Sequence, residues 1–186
     1  MHPTMKQGIK IFIMYDFNKR LLEEVGEELK ERKETIACAE SVTSGLLQFA
    51  FSNITEASSF FNGGITAYNL AEKVKHLCVE PGHASEVNCV SQQVADEMAL
   101  EVCRMFNCNW GIGITGYASP VPESDGKLFA YFSICYNNQI VYNDEIIPHG
   151  TSPVSVQWYY ANTVIEQLSL VLQENEKPGM VPGLTH

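Results

Sequence analysis

The chain has 186 residues, 45% of them hydrophobic and 18% charged, with a formal net charge of -10 and a pI near 4.9. That length and balance suit one globular domain, expected over residues 1–175, with a loosely ordered tail over 176–186 that is rich in Pro and Gly. The acidic charge opposes nucleic acid as a partner, although a local basic pocket could still hold one small anion, and no run reaches the ~18 apolar residues of a membrane span.

The apolar stretch IFIMY, residues 11–15, is short, lacks a cleavage site and runs straight into charge. It is read as no export signal, and the chain as cytoplasmic. Asp16 or Asn18 then caps a helix in which Leu21, Leu22, Val25 and Leu29 recur at helical spacing. Thr35 to Ala39 is short and apolar enough for a buried strand, and Val42 to Phe51 resumes helical spacing. Between them stand Glu40, Ser41, Thr43, Ser44 and Gly45, so a strand stops, turns and starts a helix with hydroxyls in the turn. A side chain there lies near the unpaired N–H groups and positive dipole end of the helix, where a developing oxyanion is stabilised. Ser41 is accordingly a candidate nucleophile; the plainer alternative is that Ser41 or Thr43 caps the helix.

Phe60 to Tyr68, FFNGGITAY, reads as a strand whose paired glycines admit a close neighbour, and Asn69 to Leu77 as a helix. Glu80 to Asn88, with Pro81 and Gly82, has no period and is expected to be irregular. Ser91 caps a helix whose Val94, Met98, Val102 and Met105 form one apolar stripe. Asn109 to Thr115 is a buried strand ended by a second sharp turn at Gly116. Leu128 to Tyr136 and Gln139 to Ile147 flank Asn137 and Asn138, the pattern of an antiparallel hairpin. Ser152 or Pro153 opens the last helix, with Val156, Tyr160, Val164, Leu168 and Val171 on one face. Trp110, Trp158, Tyr159 and Tyr160 are read as core or interface groups. Six cysteines show no CxxC pair and no zinc-ligand spacing, so reduced thiols and no metal are expected, Cys103 and Cys108 included.

Helices alternating with strands, followed by a hairpin, predict a three-layer α/β/α sandwich around a mixed sheet. Ligands of such sheets gather at the carboxyl ends of parallel strands, where Ser41, Tyr68 and Thr115 each close a predicted strand. None of the five His residues falls at a strand end facing Ser41. A desolvated lysine loses its charge readily, and its neutral amine can take a serine proton. Lys73, one and a half helical turns after Tyr68, is the candidate base, a solvated surface lysine being the alternative.

Four segments carry a resemblance. AESVTSG, Ala39 to Gly45, resembles the AESCTGG motif of the CinA C-terminal family, whose enzymatic members are nicotinamide mononucleotide deamidases. FFNGGITAYNLAEK, ending at Lys73, looks like the family's F-x-G-G-x-x-x-Y-x-x-x-x-K pattern. VSQQVADEMA, Val90 to Ala99, is similar to its VSEEVAxEMA helix, and GITGYASP, Gly113 to Pro120, to its TGIAGP turn. The resemblance implies a mixed, mostly parallel five-stranded sheet with one antiparallel strand, and a homodimeric Ser/Lys amidohydrolase that needs neither metal nor cofactor. Carried over, Ser41 matches the nucleophile, Lys73 the general base, Tyr68 the tyrosine beside them and Thr115 the turn hydroxyl near the reacting amide. Glu40, Val42, Thr43, Gly64, Gly116 and Thr151 complete the expected substrate-binding set.

Two departures bear on the substrate. VPESDGKL stands where the family has a glycine-rich, KPVG-like segment, so the loop over 120–127 alters one wall of the pocket. Thr151 and Ser155 stand where the arginines of a GDR-x-x-V-R pattern would fall. Neutral hydroxyls hold a phosphate less strongly than a bidentate guanidinium, so weakened affinity for the mononucleotide is expected, with His149 or Lys127 as replacement charges. Two further readings follow: a non-catalytic binding or scaffold protein of the same fold, and a Ser/Lys hydrolase of an uncharged amide.

Overall fold

The computed structural model describes residues 16–175, so the IFIMY stretch and the tail over 176–186 lie outside the described residues. A helix, α1 (Lys19–Arg32), is capped by the Asn18 side chain, which accepts from the Leu21 N–H. Then come β1 (Ile36–Glu40), α2 (Leu46–Ser52), β2 (Phe61–Thr66), α3 (Leu70–Leu77), α4 (Pro81–Glu86) and α5 (Gln92–Met105). Two long strands with a reversal, β3 (Trp110–Tyr117) and β4 (Phe129–Tyr136), lead through β5 (Gln139–Ile146) to α6 (Pro153–Glu174).

The five strands form one sheet in the order β2-β1-β3-β4-β5. β1 runs parallel to β2 and β3, and β4 is antiparallel to both of its neighbours, so β4 alone is reversed. Alternate residues of β1 face opposite layers, as the two-residue period of a strand requires. Ile36 and Cys38 belong to the first layer's core, with Leu29, Leu47, Val164 and Leu168 from α1, α2 and α6. Ala37 and Ala39 belong to the other, with Leu77, Val94, Met98 and Val102 of α3 and α5. The result is the α/β/α sandwich with a mixed sheet. Facing α5, β3 sets Gly111 and Gly113, where a Cβ would strike the Ala99 and Ala95 carbonyls, so the helix rests directly on the strand that carries Thr115.

Asn137 and Asn138 both hold left-handed backbone, φ 49° and 62°, as a two-residue hairpin demands. Four elements differ from their expectation. β2 stops at Thr66, so Tyr68 lies two residues beyond the strand it was expected to close. The stretch over 80–88 contains α4, whose first turn is closed by Glu80 accepting from the N–H groups of Gly82 and His83, with Pro81 at the first helical position. Six residues are too few to display a helical period. The strand expected to stop at Thr115 runs on to Tyr117, because Gly116 pairs with Ala130 in the β3–β4 ladder. Finally, α2 begins at Leu46 rather than Val42, which leaves the intervening residues as a turn above the sheet.

Candidate active site

β1 is buried along its whole length and delivers Glu40, 0% exposed, to the end of the sheet. Its carboxylate accepts from Thr43 Oγ1 (2.6 Å), from the N–H groups of Gly45 (3.0 Å), Leu47 (3.1 Å) and Gln48 (2.9 Å), and from Gln48 Nε2 (3.1 Å). Glu40 thus takes up the orphan donors of the first turn of α2, at the positive end of that helix. The N-cap position belongs to Gly45, whose φ of 99° suits glycine and which supplies no side chain. The reading of Ser41 or Thr43 as the cap is therefore corrected: Glu40 satisfies those donors, and Thr43 donates to it.

Ser41 is left for another partner. Its N–H donates to the Ile114 carbonyl at 3.1 Å, pinning the turn to β3. Its Oγ accepts from Lys73 Nζ at 2.8 Å, and the same Nζ donates to the Ala67 carbonyl at 2.9 Å. Lys73 is delivered by the start of α3, where Asn69 caps the helix by accepting from the Glu72 N–H at 3.0 Å. Both groups are buried, Ser41 6% and Lys73 1% exposed, and no ion pair reaches Lys73 among the described residues. Burial therefore lowers the lysine's pKa from its ordinary 10.5, opposed by the weaker influence of the Cys89 thiol. Next to Ser41, the N–H groups of Val42 and Thr43 meet no acceptor among the described residues.

These groups open into a cavity of about 520 Å³ at the carboxyl ends of β1 and β3, bounded by α3 and the start of α6. Of the sequence-derived site residues, Ser41, Lys73, Tyr68, Val42, Thr115 and Gly116 line it. Tyr68 stands at the mouth, 71% exposed, with no hydrogen bond to Ser41 or Lys73. Thr115 Oγ1 donates to the Cys89 carbonyl at 2.8 Å, so its proton is committed while its lone pairs remain available. Four expected substrate contacts fall outside the lining. Glu40 and Thr43 are buried beneath the turn. Gly64 lies on β2 where a Cβ would meet the Cys38 carbonyl and the Gln48 side chain. Thr151 is solvent-exposed before α6, and the Ser155 hydroxyl is turned to the Ser152 carbonyl at 2.7 Å. His149, exposed and packed edge-on against Tyr159, and Lys127, also exposed, do not line the cavity either.

Sequence reasoning missed Asn69, Asn88, Tyr117, Ser119 and Gln157 as lining residues. Pro153 and Gln157 were legible as a pair, since residues four apart share a helix face. Gln157 Nε2 donates to the Val42 carbonyl at 2.8 Å and so braces the Ser41 turn from α6. Asn88, which donates to the Tyr117 hydroxyl at 3.0 Å, sits in left-handed backbone after α4 and carried no signal. All six cysteines are free thiols. Among the described residues no helix is long and apolar enough to cross a membrane.

A family model described as the CinA C-terminal domain matches residues 18–158. A CinA-like protein of Prochlorococcus marinus is 30% identical over 176 residues, covering 93% of this chain and 42% of that protein. A CinA-like protein of Picosynechococcus sp. is 40% identical over 103 residues, 55% of this chain and 25% of that protein. The chain thus spans less than half the length of these curated relatives. Among solved structures, the competence damage-inducible protein A of Klebsiella pneumoniae aligns with a TM-score of 0.81 at 21% identity, covering 87% of this chain and 100% of that one. The competence/damage inducible protein CihA of Agrobacterium tumefaciens aligns with a TM-score of 0.78 at 21% identity, covering 85% and 99%. At such identities the likeness is one of fold.

Proposed function

Since the chain belongs to the CinA C-terminal domain family and a buried lysine amine holds the hydroxyl of Ser41, we propose that it is a Ser/Lys amidohydrolase, converting nicotinamide mononucleotide or a related small amide to the acid and ammonia. The observation that carries this reading is the 2.8 Å contact between Lys73 Nζ and Ser41 Oγ inside a cavity. A lysine whose pKa is lowered by burial is neutral in a larger share of molecules, and only the neutral amine can accept a proton.

In the first half-reaction Lys73 takes the Ser41 proton as Oγ bonds to the carboxamide carbon. The oxyanion faces the N–H group of Val42, a donor in the cavity lining that nothing else among the described residues occupies. Lys73, now an ammonium still held by the Ala67 carbonyl, passes its proton to the departing nitrogen, and ammonia leaves an acyl ester on Ser41. Water then loses a proton to Lys73 and adds to the ester; Ser41 leaves with the proton returned from Lys73, and the acid is released. Val42 and Thr115, with the backbone of Gly116, bound the place where the amide sits. The same reading takes a homodimer in the cytoplasm as the working form, with a small molecule and neither nucleic acid nor membrane as the partner.

The test is ammonia release from nicotinamide mononucleotide by the purified chain, with Ser41→Ala and Lys73→Ala alongside. Release that disappears in both variants supports the dyad; release that survives Ser41→Ala sinks it. A second reading, a non-catalytic binding protein of the same fold, is favoured by Thr151 and Ser155 lying outside the cavity. It predicts binding of a small molecule with no release above the variants' background.

A further inference from the structure

Resting on the amidohydrolase reading, we propose that the cavity selects an amide whose remainder carries no phosphate or other anionic group. Among the described residues that line it, Lys73 is the only cationic side chain, and it is already committed to Ser41 and to the Ala67 carbonyl. The polar groups available to the rest of a substrate are neutral: Asn69, Asn88, Tyr117, Ser119 and Gln157. Opposite them lie apolar walls, Leu70, Val90, Val121 and Pro153 among them. A second hollow shares Asn88, Val90 and Tyr117 with the first and continues outward to Glu86 and Glu123, two exposed carboxylates. Along this path, two carboxylates and no cationic side chain thus line the second hollow among the described residues, on a chain whose net charge is -10.

A phosphate carried into this path exchanges its water for neutral amides and hydroxyls and approaches two carboxylates. Neutral hydrogen bonds contribute less than charge-assisted ones, by an amount worth about tenfold in affinity for each one replaced. A ribose or another polyhydroxylated group loses nothing on the same path, because Asn and Gln amides both donate to and accept from hydroxyls. The site discriminates by what it cannot neutralise.

The decisive comparison is nicotinamide mononucleotide against nicotinamide riboside, which present the same amide with and without the phosphate. With the full chain, kcat/KM for ammonia release is expected to favour the riboside by about tenfold or more. Equal values, or a preference for the mononucleotide, overturn the inference while leaving the amidohydrolase intact. If neither compound releases ammonia, the amidohydrolase reading fails, and calorimetric binding to the Ser41→Ala chain decides the inference by itself. Tighter binding of the riboside supports it; binding of neither at millimolar concentration, or of the mononucleotide more tightly, overturns it. Val121→Arg places a cation in the lining, and the same ratio, measured by turnover or by binding, is expected to move toward the mononucleotide by about tenfold. A ratio unmoved by that charge counts against charge as the basis of selection.

Discussion

Two ionisable side chains are buried within a few residues' reach of the cavity, and the protein treats them in opposite ways. Glu40, below the turn after β1, accepts five hydrogen bonds from Thr43, Gly45, Leu47 and Gln48. Lys73, at the start of α3, has two acceptors and no ion-pair partner among the described residues. A charge that is fully solvated by protein groups is a structural fixture. A group whose charge is left under-compensated gives up its proton more easily and is available for chemistry. The contrast explains why Ser41, which follows Glu40 in the chain, is partnered by the lysine and is free of the helix-capping duty.

The largest effects should come from breaking the reactive half of this pair. Ser41→Ala and Lys73→Ala are each expected to lower kcat for amide hydrolysis by about a thousandfold or more, with thermal denaturation little changed for Ser41→Ala. Under the proposed mechanism, combining them should lower it no further than either alone, because a nucleophile and its base act as one unit. Next in size is the structural half. Glu40→Ala strands the N–H groups of Gly45, Leu47 and Gln48 in a buried turn and should cost about 3 kcal/mol, read as a drop of about 6–12 °C in Tm. Activity should fall as well, since the same turn sets the position of Ser41, whose N–H is tied to Ile114.

A smaller effect is expected from the Thr115 hydroxyl. Thr115→Val keeps the volume but removes the donor to the Cys89 carbonyl, for about 1 kcal/mol of stability. If the hydroxyl only fastens β3 to the segment before α5, KM and kcat stay near their parent values while Tm falls by about 2–4 °C. A loss of kcat with unchanged KM would assign it a contact made in the transition state.

The long elements were legible because their periods are local: the alternating apolar runs of β3 to β5 and the stripes of α1, α5 and α6 need no knowledge of the fold. The turn bearing Ser41 was legible as a place, but its capping was not. Sequence rules look for a cap immediately before the helix, whereas Glu40 reaches forward from a strand as far as Gln48, eight residues on. Lys73 could be selected from periodicity only as one helical lysine among several, and the resemblance singled it out. Its environment is set by β1 and by Ala67, which are non-local. Asn88 and Gln157 come to the cavity from the end of α4 and from α6, so no spacing within the chain announces that they share a wall.

The finest test of the contrast is proton linkage at Lys73. Its folded-state pKa lies below the ordinary 10.5, so between those two values the unfolded chain holds more protons than the folded one. Stability conferred through this group is therefore least below the folded pKa, rises with pH across the interval, and is complete above 10.5. Lys73→Met, which fills the same space without an ionisable group, should lack that rise. Its stability relative to the parent should be most favourable at the acid side of the interval and decline toward 10.5, where the parent's amine is neutral in both states and the penalty for burying its charge is gone. On the proposed mechanism the amine must be neutral to accept the Ser41 proton, so kcat/KM should climb with pH through the folded pKa and level above it. Paired denaturation curves across this range measure the first, and a pH–rate profile the second. If the two inflections coincide, one lysine controls both; a stability difference independent of pH would place Lys73 with Glu40, as a fixture of the fold.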